Sequence, residues 1–362
     1  MSSPKFYSLK VKEVRQETPD CVSVSFDVPV EWKETFRFVA GQYLTIKKEI
    51  GGKELRRSYS ICTSPAENDL RVAIKKIEGG QFSGFANASL QVNDLLEVMP
   101  PMGKFSPRSN GKTNKHYMAV AVGSGITPIM SIAKTVLEEE KESRFTLLFG
   151  NKNQENIIFK REIEALQARY SEQFKVHHVL SREANENALL HGRIDGDKIT
   201  QFGNSMIDYS SLDEVFICGP EAMIHAVRQQ LIALHVAEEK LHIELFTSPE
   251  QPKATHETWV KEHSNDEPAV SQVTIVLDGD EFSFEVPYNG DSILDAAMKQ
   301  GANLPYACKG GVCCTCRAKV TEGKVDMEVN YALEKDEVAE GYILTCQSHP
   351  RSPKVLVDFD AR

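Results

Sequence analysis

The sequence predicts a multidomain chain: an antiparallel β-barrel, then a doubly wound α/β unit, then a smaller unit of mixed α and β structure around a cysteine-rich loop. Three observations carry that expectation. Through the first hundred positions, apolar and polar residues alternate in short stretches, the period of half-buried strands. From about residue 115 to 246, apolar runs alternate with amphipathic helical patterns, as in a parallel sheet covered by helices. Near the end, Cys308, Cys313 and Cys316 share one glycine-bearing loop, and Cys346 follows at a distance. At 362 residues the chain is too long for one typical domain and suits two or three.

Strands are predicted over 7–14, 21–28, 42–48, 57–62, 70–77 and 95–99, spaced as in a small antiparallel barrel. Pro100-Pro101-Met102-Gly103 ends the pattern, and the first domain is expected to span 1–110. In the second, at 111–247, strands at 117–122, 144–149, 175–180 and 214–218 alternate with helices over 128–140, 160–170 and 221–235. Residues 248–268 are polar, proline-bearing and aperiodic, and read as a linker. The last domain, 269–362, opens with a hairpin whose strands (273–277 and 282–286) flank Asp278-Gly279-Asp280. A helix capped by Asp291 or Ser292 ends at Gly301, the cysteine loop follows, and a hairpin turn is expected at Glu322-Gly323.

Net charge is −10, which disfavours a nucleic-acid partner, whose phosphates need a basic face. Residues 269–362 carry 15 acidic and nine basic residues; solubility and steering toward a basic redox partner both account for the bias. The N-terminal ten residues lack an apolar signal stretch and no apolar run approaches the roughly 18 residues of a membrane span, so a soluble cytoplasmic protein is expected. Cys21, Cys62, Cys218 and Cys314 are scattered and read as free thiols in a reducing compartment.

The C-x4-C-x2-C…C spacing of Cys308, Cys313, Cys316 and Cys346 is the plant-type ligand set for a [2Fe–2S] cluster. A structural zinc site is the alternative, although zinc usually pairs two short knuckles. Cys314, adjacent to the set, would break the spacing if it replaced Cys313. Gly123-Ser124-Gly125-Ile126-Thr127-Pro128 closes a strand and opens a helix, where backbone N–H groups and the helix dipole suit a pyrophosphate. Pro128 replaces the third glycine of the usual fingerprint, at a position expected to be the first of the helix. The second strand ends in Gly150-Asn151 and lacks the acidic residue that would bind a ribose 2′-hydroxyl. Ser181-Arg182 could hold a 2′-phosphate; an ordinary exposed arginine is the alternative. Cys218-Gly219-Pro220 ends a strand on the same sheet edge, its thiol either beside a nicotinamide or simply structural. Arg57 and Tyr59 share one face of a strand, with Ser60 opposite or at its end, as a flavin phosphate and ring would require. Gly79-Gly80-Gln81-Phe82-Ser83 is a second candidate phosphate loop.

The order R-x-Y-S, G-G-x-x-S, G-x-G-x-x-P, C-G-P and C-x4-C-x2-C…C resembles the ferredoxin–NADP⁺ reductase superfamily joined to a plant-type ferredoxin, across essentially the whole chain. Glu54-Leu55-Arg56-Arg57, Leu190-His191-Gly192-Arg193-Ile194-Asp195-Gly196, Leu304-Pro305-Tyr306-Ala307-Cys308 and the ending Val357-Asp358-Phe359-Asp360-Ala361 resemble the reductase-subunit family of phenylacetyl-CoA epoxidase complexes. The resemblance implies an FAD-binding barrel, a nucleotide-binding α/β domain and a β-grasp ferredoxin domain. It implies that Arg57, Tyr59 and Ser60 contact FAD and that Gly80, Gln81, Phe82 and Ser83 bind its diphosphate. Gly123, Ser124, Gly125 and Thr127 would cradle NADPH (NADH is less favoured), with Arg182, Cys218, Gly219 and Pro220 also at the nucleotide. Ser60, Cys218 and Glu244-Leu245-Phe246 would stand where nicotinamide meets flavin, making Ser60, Cys218 and Glu244 the catalytic set. The partner implied is the di-iron oxygenase of a phenylacetyl-CoA epoxidase complex, since the chain carries no H-E-x-x-H or paired Glu-x-x-His of its own. A reductase for another oxygenase or for a hybrid-cluster protein, and a non-catalytic module stabilised by zinc, are the rival readings.

Overall fold

Alternation builds the first sheet. In β1 (Tyr7–Thr18), Tyr7, Leu9 and Val11 are buried and the residues between them exposed. With β2 (Cys21–Asp27), β3 (Tyr43–Ile50), β4 (Lys53–Ser60), β5 (Leu70–Lys75) and β6 (Leu95–Val98) it forms a six-stranded sheet in the order β4-β3-β6-β1-β2-β5. Ile61 bridges Val72, and the Cys62 N–H donates to Arg71 O at 2.9 Å, so the chain just past β4 meets β5 and closes a barrel. The molecule is described by a computed structural model covering residues 5–108, 114–246 and 269–361; the expected linker at 248–268 lies outside the described residues. Two compact units divide the chain, one of residues 7–55 and 59–246, the other dominated by 269–361.

One element of the barrel region departs from the expected all-strand pattern. Gln81–Ala88 is an α-helix, α1, with Gly80 as its N-cap and Phe82 buried in the barrel core.

The second half of the same unit is a five-stranded parallel sheet: β7 (His116–Val122), β8 (Arg144–Asn151), β9 (Phe174–Leu180), β10 (Glu214–Gly219) and β11 (Leu241–Leu245), in the order β11-β10-β7-β8-β9. Helices α2 (Ile126–Glu139), α3 (Lys160–Arg169), α4 (Gly196–Ser205) and α5 (Glu221–Ala233) connect the strands. The first strand, β7, has the second and the fourth as neighbours. The order therefore reverses there, and a crevice opens beyond the carboxyl ends of β7 and β10. Pro128 is the third residue of α2, not the first as expected; the first-turn N–H groups have no intrahelical acceptor, so its missing donor is tolerated.

The other unit contains β12 (Val270–Leu277), β13 (Asp280–Pro287), α6 (Ile293–Lys299), β14 (Arg317–Glu322), β15 (Val325–Met327), α7 (Lys335–Ala339), β16 (Tyr342–Leu344), β17 (Ser348–Pro350) and β18 (Lys354–Asp358). Its main sheet runs β13-β12-β18-β14-β16, and β15 pairs with β17. Ser292 caps α6, its hydroxyl accepting the Asp295 N–H at 3.3 Å. The Glu322-Gly323 turn is not a hairpin: β14 pairs with β16 and β18, so the chain passes at Gly323 from one sheet to the other. Gly323 has φ +89°, and a Cβ there would lie 2.2 Å from Lys354 O. Among the described residues no helix is long and apolar enough to cross a membrane.

Barrel and parallel sheet share one core, in which Cys62, Ala73 and Phe105 pack with Ile129, Ile132 and Phe216. Polar contacts fix their register. Lys134 of α2, 4% exposed in its side chain, places Nζ 2.6 Å from Glu162 Oε1, 3.1 Å from Glu67 Oε1 and 3.3 Å from Cys62 O. The Ser131 hydroxyl donates to Thr63 O at 2.6 Å, and the Ser64 hydroxyl to Glu138 at 2.9 Å. Burial works against the Lys134 charge, but Glu162 and Glu67 outweigh it and hold the ammonium above its ordinary value. Lys134→Met should therefore cost on the order of 3 kcal/mol, because two carboxylates lose their cation. Urea unfolding should show a lower midpoint at unchanged slope; an unshifted midpoint would mean the hub contributes nothing.

Candidate functional site

The β7–α2 turn is shaped by close approach. Gly123 has φ +56°, and a Cβ on Gly125 would stand 2.2 Å from Cys218 O, so only glycine lets this loop lie against β10. The Thr127 hydroxyl donates to Ser124 O at 3.0 Å, tightening the turn from within. Beyond it opens a cavity of about 760 Å³ lined by Gly123, Ser124, Arg182, Gly219 and Pro220, all proposed from sequence, while Gly125 and Thr127 are buried beneath its floor.

Several lining residues escaped the sequence reading. Lys75, Lys152 and Arg193 join Arg182 on the wall, against a single carboxylate, Asp195, which already accepts the Lys198 N–H at 2.9 Å. That excess of cations suits a polyanionic dinucleotide. Asn151, only 7% exposed, also lines the cavity, and neither polar atom of its carboxamide has a partner among the described residues. An unsatisfied buried amide is a ready contact for a ligand.

The three residues of the expected catalytic set meet. Cys218 and Glu244 are paired across β10 and β11, and Ser60 Oγ donates to Glu244 Oε2 at 3.4 Å. Glu244 keeps slight solvent access yet is ringed by protein; burial drives its carboxyl up to about 8, with the Ser60 hydrogen bond pulling weakly the other way. Burial also raises the Cys218 thiol well above its ordinary range, with Glu244 adding to the effect. Both groups are neutral at pH 7. Tyr59 sits partly exposed, its ring 5.7 Å from that of Phe82. Phe82 itself is core, so it reaches this site through Tyr59. Arg57 Nη1 donates to Arg56 O at 2.7 Å. The Ser83 hydroxyl accepts the Ile77 N–H at 3.1 Å, while Gly80 gives α1 no side-chain cap. The first N–H groups of α1 thus have no intrahelical acceptor, which fits an FAD diphosphate.

In the other unit, Cys308, Cys313, Cys316 and Cys346 are all buried. They form two pairs in hydrogen-bonding reach, Cys308 with Cys313 and Cys316 with Cys346. Among the described residues no three ligating side chains converge on a single point. The backbone feeds N–H groups to sulfur: Gly310 to Cys308 Sγ at 3.3 Å and Cys308 to Cys313 Sγ at 3.5 Å. The Cys313 contact and the N–H groups of Gly310, Val312 and Cys313 pull the Cys308 thiol below its ordinary range despite burial. Cys314 is only partly buried and its thiol donates to Ala332 O at 3.2 Å. Paired thiols with donors aimed at sulfur are a donor set that fits a two-iron cluster.

Family models match in the order of the sites: an oxidoreductase FAD-binding domain over 8–106, an oxidoreductase NAD-binding domain over 119–229 and a 2Fe-2S iron-sulfur cluster binding domain over 275–351. A 1,2-phenylacetyl-CoA epoxidase subunit from Escherichia coli K12 is 43% identical over 357 residues, covering 99% of this chain and 98% of the relative. The ferredoxin reductase component of 3-ketosteroid-9-alpha-monooxygenase from Mycobacterium tuberculosis H37Rv is 33% identical, covering 97% of this chain and 95% of the relative. Phthalate dioxygenase reductase has the same fold, with a TM-score of 0.60 at 24% identity, covering 99% of this chain and 100% of that one. Fold and sites define an NAD(P)H-dependent flavin and iron–sulfur oxidoreductase. More narrowly, the chain belongs to the family of the 43% identical 1,2-phenylacetyl-CoA epoxidase subunit.

Below pH 8 Glu244 holds a proton; above it the proton is lost. NAD(P)H oxidation with an artificial acceptor should fall as pH rises through about 8, and Glu244→Gln, which cannot ionise, should flatten that limb at a lower plateau. A variant that keeps the wild-type pH profile would remove Glu244 from the proton path.

Proposed function

We propose that this chain carries electrons from NADPH, through FAD and a [2Fe–2S] cluster held by Cys308, Cys313, Cys316 and Cys346, to the di-iron oxygenase of a cytoplasmic phenylacetyl-CoA epoxidase complex. The observation that carries the reading is the end-to-end likeness to the Escherichia coli epoxidase subunit, 43% identity with almost no unmatched residue on either side. The 33% identical steroid-monooxygenase component also matches nearly end to end, so full-length likeness alone does not select the partner. The scattered buried thiols of Cys21, Cys62 and Cys218 support a reducing compartment. Domain limits of 1–110, 111–247 and 269–362 around a linker at 248–268 accompany this reading.

FAD, when bound, supplies the exchange between a two-electron donor and a one-electron acceptor, and the cluster supplies single-electron carriage. The chain supplies orientation and charge. Arg57 binds flavin phosphate and Tyr59 covers the ring, while Gly80, Gln81, Phe82 and Ser83, at the start of α1, take the diphosphate. Gly123, Ser124 and Gly125 bring backbone to the dinucleotide, with Thr127 bracing their turn and Gly219-Pro220 forming the opposite wall. Arg182 takes the 2′-phosphate that distinguishes NADPH from NADH. Ser60 orients Glu244, Glu244 holds a proton beside the reacting atoms, and Cys218 fills the space next to the nicotinamide with a neutral thiol.

Two experiments test this. The purified protein should consume NADPH steadily with an artificial acceptor, yet yield no epoxide from phenylacetyl-CoA until the oxygenase subunits are added. Epoxidation by the chain alone, or none with the subunits present, would refute the assignment. Arg182→Ala should raise the KM for NADPH roughly 10- to 100-fold, the worth of a charge-assisted phosphate contact, and leave NADH unchanged. Equal effects on both nucleotides would end that role.

A further inference from the structure

Gln347 follows the distant cysteine directly, between β16 and β17, and is 3% exposed. Its backbone is held twice, N–H to Leu344 O at 2.8 Å and carbonyl accepting the Glu328 N–H at 2.8 Å. Its side-chain nitrogen faces three acceptors: Lys309 O at 2.9 Å, Cys346 O at 2.8 Å and Cys346 Sγ at 3.6 Å. Because all three accept, the amide is oriented with its NH2 toward them. The stem lies against the loop as well, since a Cβ on Gly311 would be 3.2 Å from Gln347 Cγ.

One carboxamide therefore ties the loop of Cys308, Cys313 and Cys316 to the separate segment of Cys346. Lys309 needs the tie. It has φ +50°, an unfavourable conformation for a residue with a side chain, and is pinned by its carbonyl on Gln347 and by Nζ on Asp295 Oδ1 at 2.6 Å. Behind Gln347, a buried contact, His349 Nε2 to Glu328 Oε1 at 2.7 Å, keeps its strand in register.

We propose that Gln347 is a positioning residue that clamps the closing ligand to the cysteine loop and donates toward Cys346 Sγ, raising the potential of the cluster. The inference rests on the cluster assignment above. Reduction adds negative charge to iron and sulfur, and a buried N–H aimed at sulfur stabilises the reduced form more than the oxidised one.

The test uses the full holoprotein. Gln347→Met keeps the length and removes both donors; with iron content unchanged, its reduced-to-oxidised ratio at a given potential should fall about tenfold, or about 59 mV lower for one electron. Gln347→Glu, which sets a carboxylate there, should fall further. A Met variant with full iron and an unshifted potential overturns the proposal. Iron loss in that variant, with the secondary structure intact, supports the clamp. Independently, pulsed electron paramagnetic resonance of reduced wild-type protein labelled with 15N in glutamine side chains should show coupling to one nitrogen; its absence overturns the proposal whatever the variants do. A wild-type protein without iron or signal would instead refute the cluster assignment itself.

Discussion

The contact on which the redox chemistry of the first unit depends is Lys134 with its carboxylates. Ser60 belongs to a barrel strand and Glu244 to the last strand of a parallel sheet, and they meet at 3.4 Å only if both lobes are held in one register. A solvent-exposed ion pair contributes about 1 kcal/mol at most and would not hold it. Lys134 differs: it is buried, satisfied by two carboxylates and a backbone carbonyl, and set in a core that both lobes build. Losing the lysine leaves both carboxylates without their cation, which makes the junction stiff.

The unit so held contains two opposite electrostatic environments. Around the cavity, Lys75, Lys152, Arg182 and Arg193 face solvent-accessible space where phosphates would sit. On β10 and β11, Cys218 and Glu244 are neutral, because burial makes the charged form of each unfavourable. A dinucleotide in this cavity would meet cations suited to its charged parts.

Much of this was legible in the sequence wherever one periodicity governed an element. Period-2 alternation marks β1 and β6, where one face packs on a core, whereas β2 and β5 are buried on both faces and stand out as short apolar strands bounded by turns. Apolar runs gave β7, β8, β9 and β10. What was lost was short or polar. Helix α1 follows two glycines and has eight residues; Phe82, Phe85 and Ala86 at helical spacing were its only signal. Helix α4 is polar on average, and β11 alternates too briefly to stand out. The turn at Glu322-Gly323 has hairpin chemistry, yet pairing is decided by tertiary contacts, which sent β15 to β17. The glycines at 123 and 125 could be read because backbone approach demands them. Lys75, Lys152 and Arg193 could not, since only the fold brings three distant segments to one wall.

The cysteine loop shows the same division at smaller scale. Ligand spacing along a chain is covalent geometry, so the 4–2 interval is visible in the sequence. How the loop is held is not. Lys309, Gly311 and Cys314 all adopt positive φ, and two of these carry side chains, at roughly 1–2 kcal/mol each. Such strain persists only where surrounding contacts over-determine it. Here they do: the Lys309 carbonyl is on Gln347 and its ammonium on Asp295, while the Cys314 thiol is on Ala332 O. These bonds turn successive N–H groups toward sulfur, so the donors face the ligand positions through contacts of the chain's own making. The potential of any cluster held there is then set in part by side chains outside the ligand spacing, which is why a motif identifies the metal centre but does not fix its energetics.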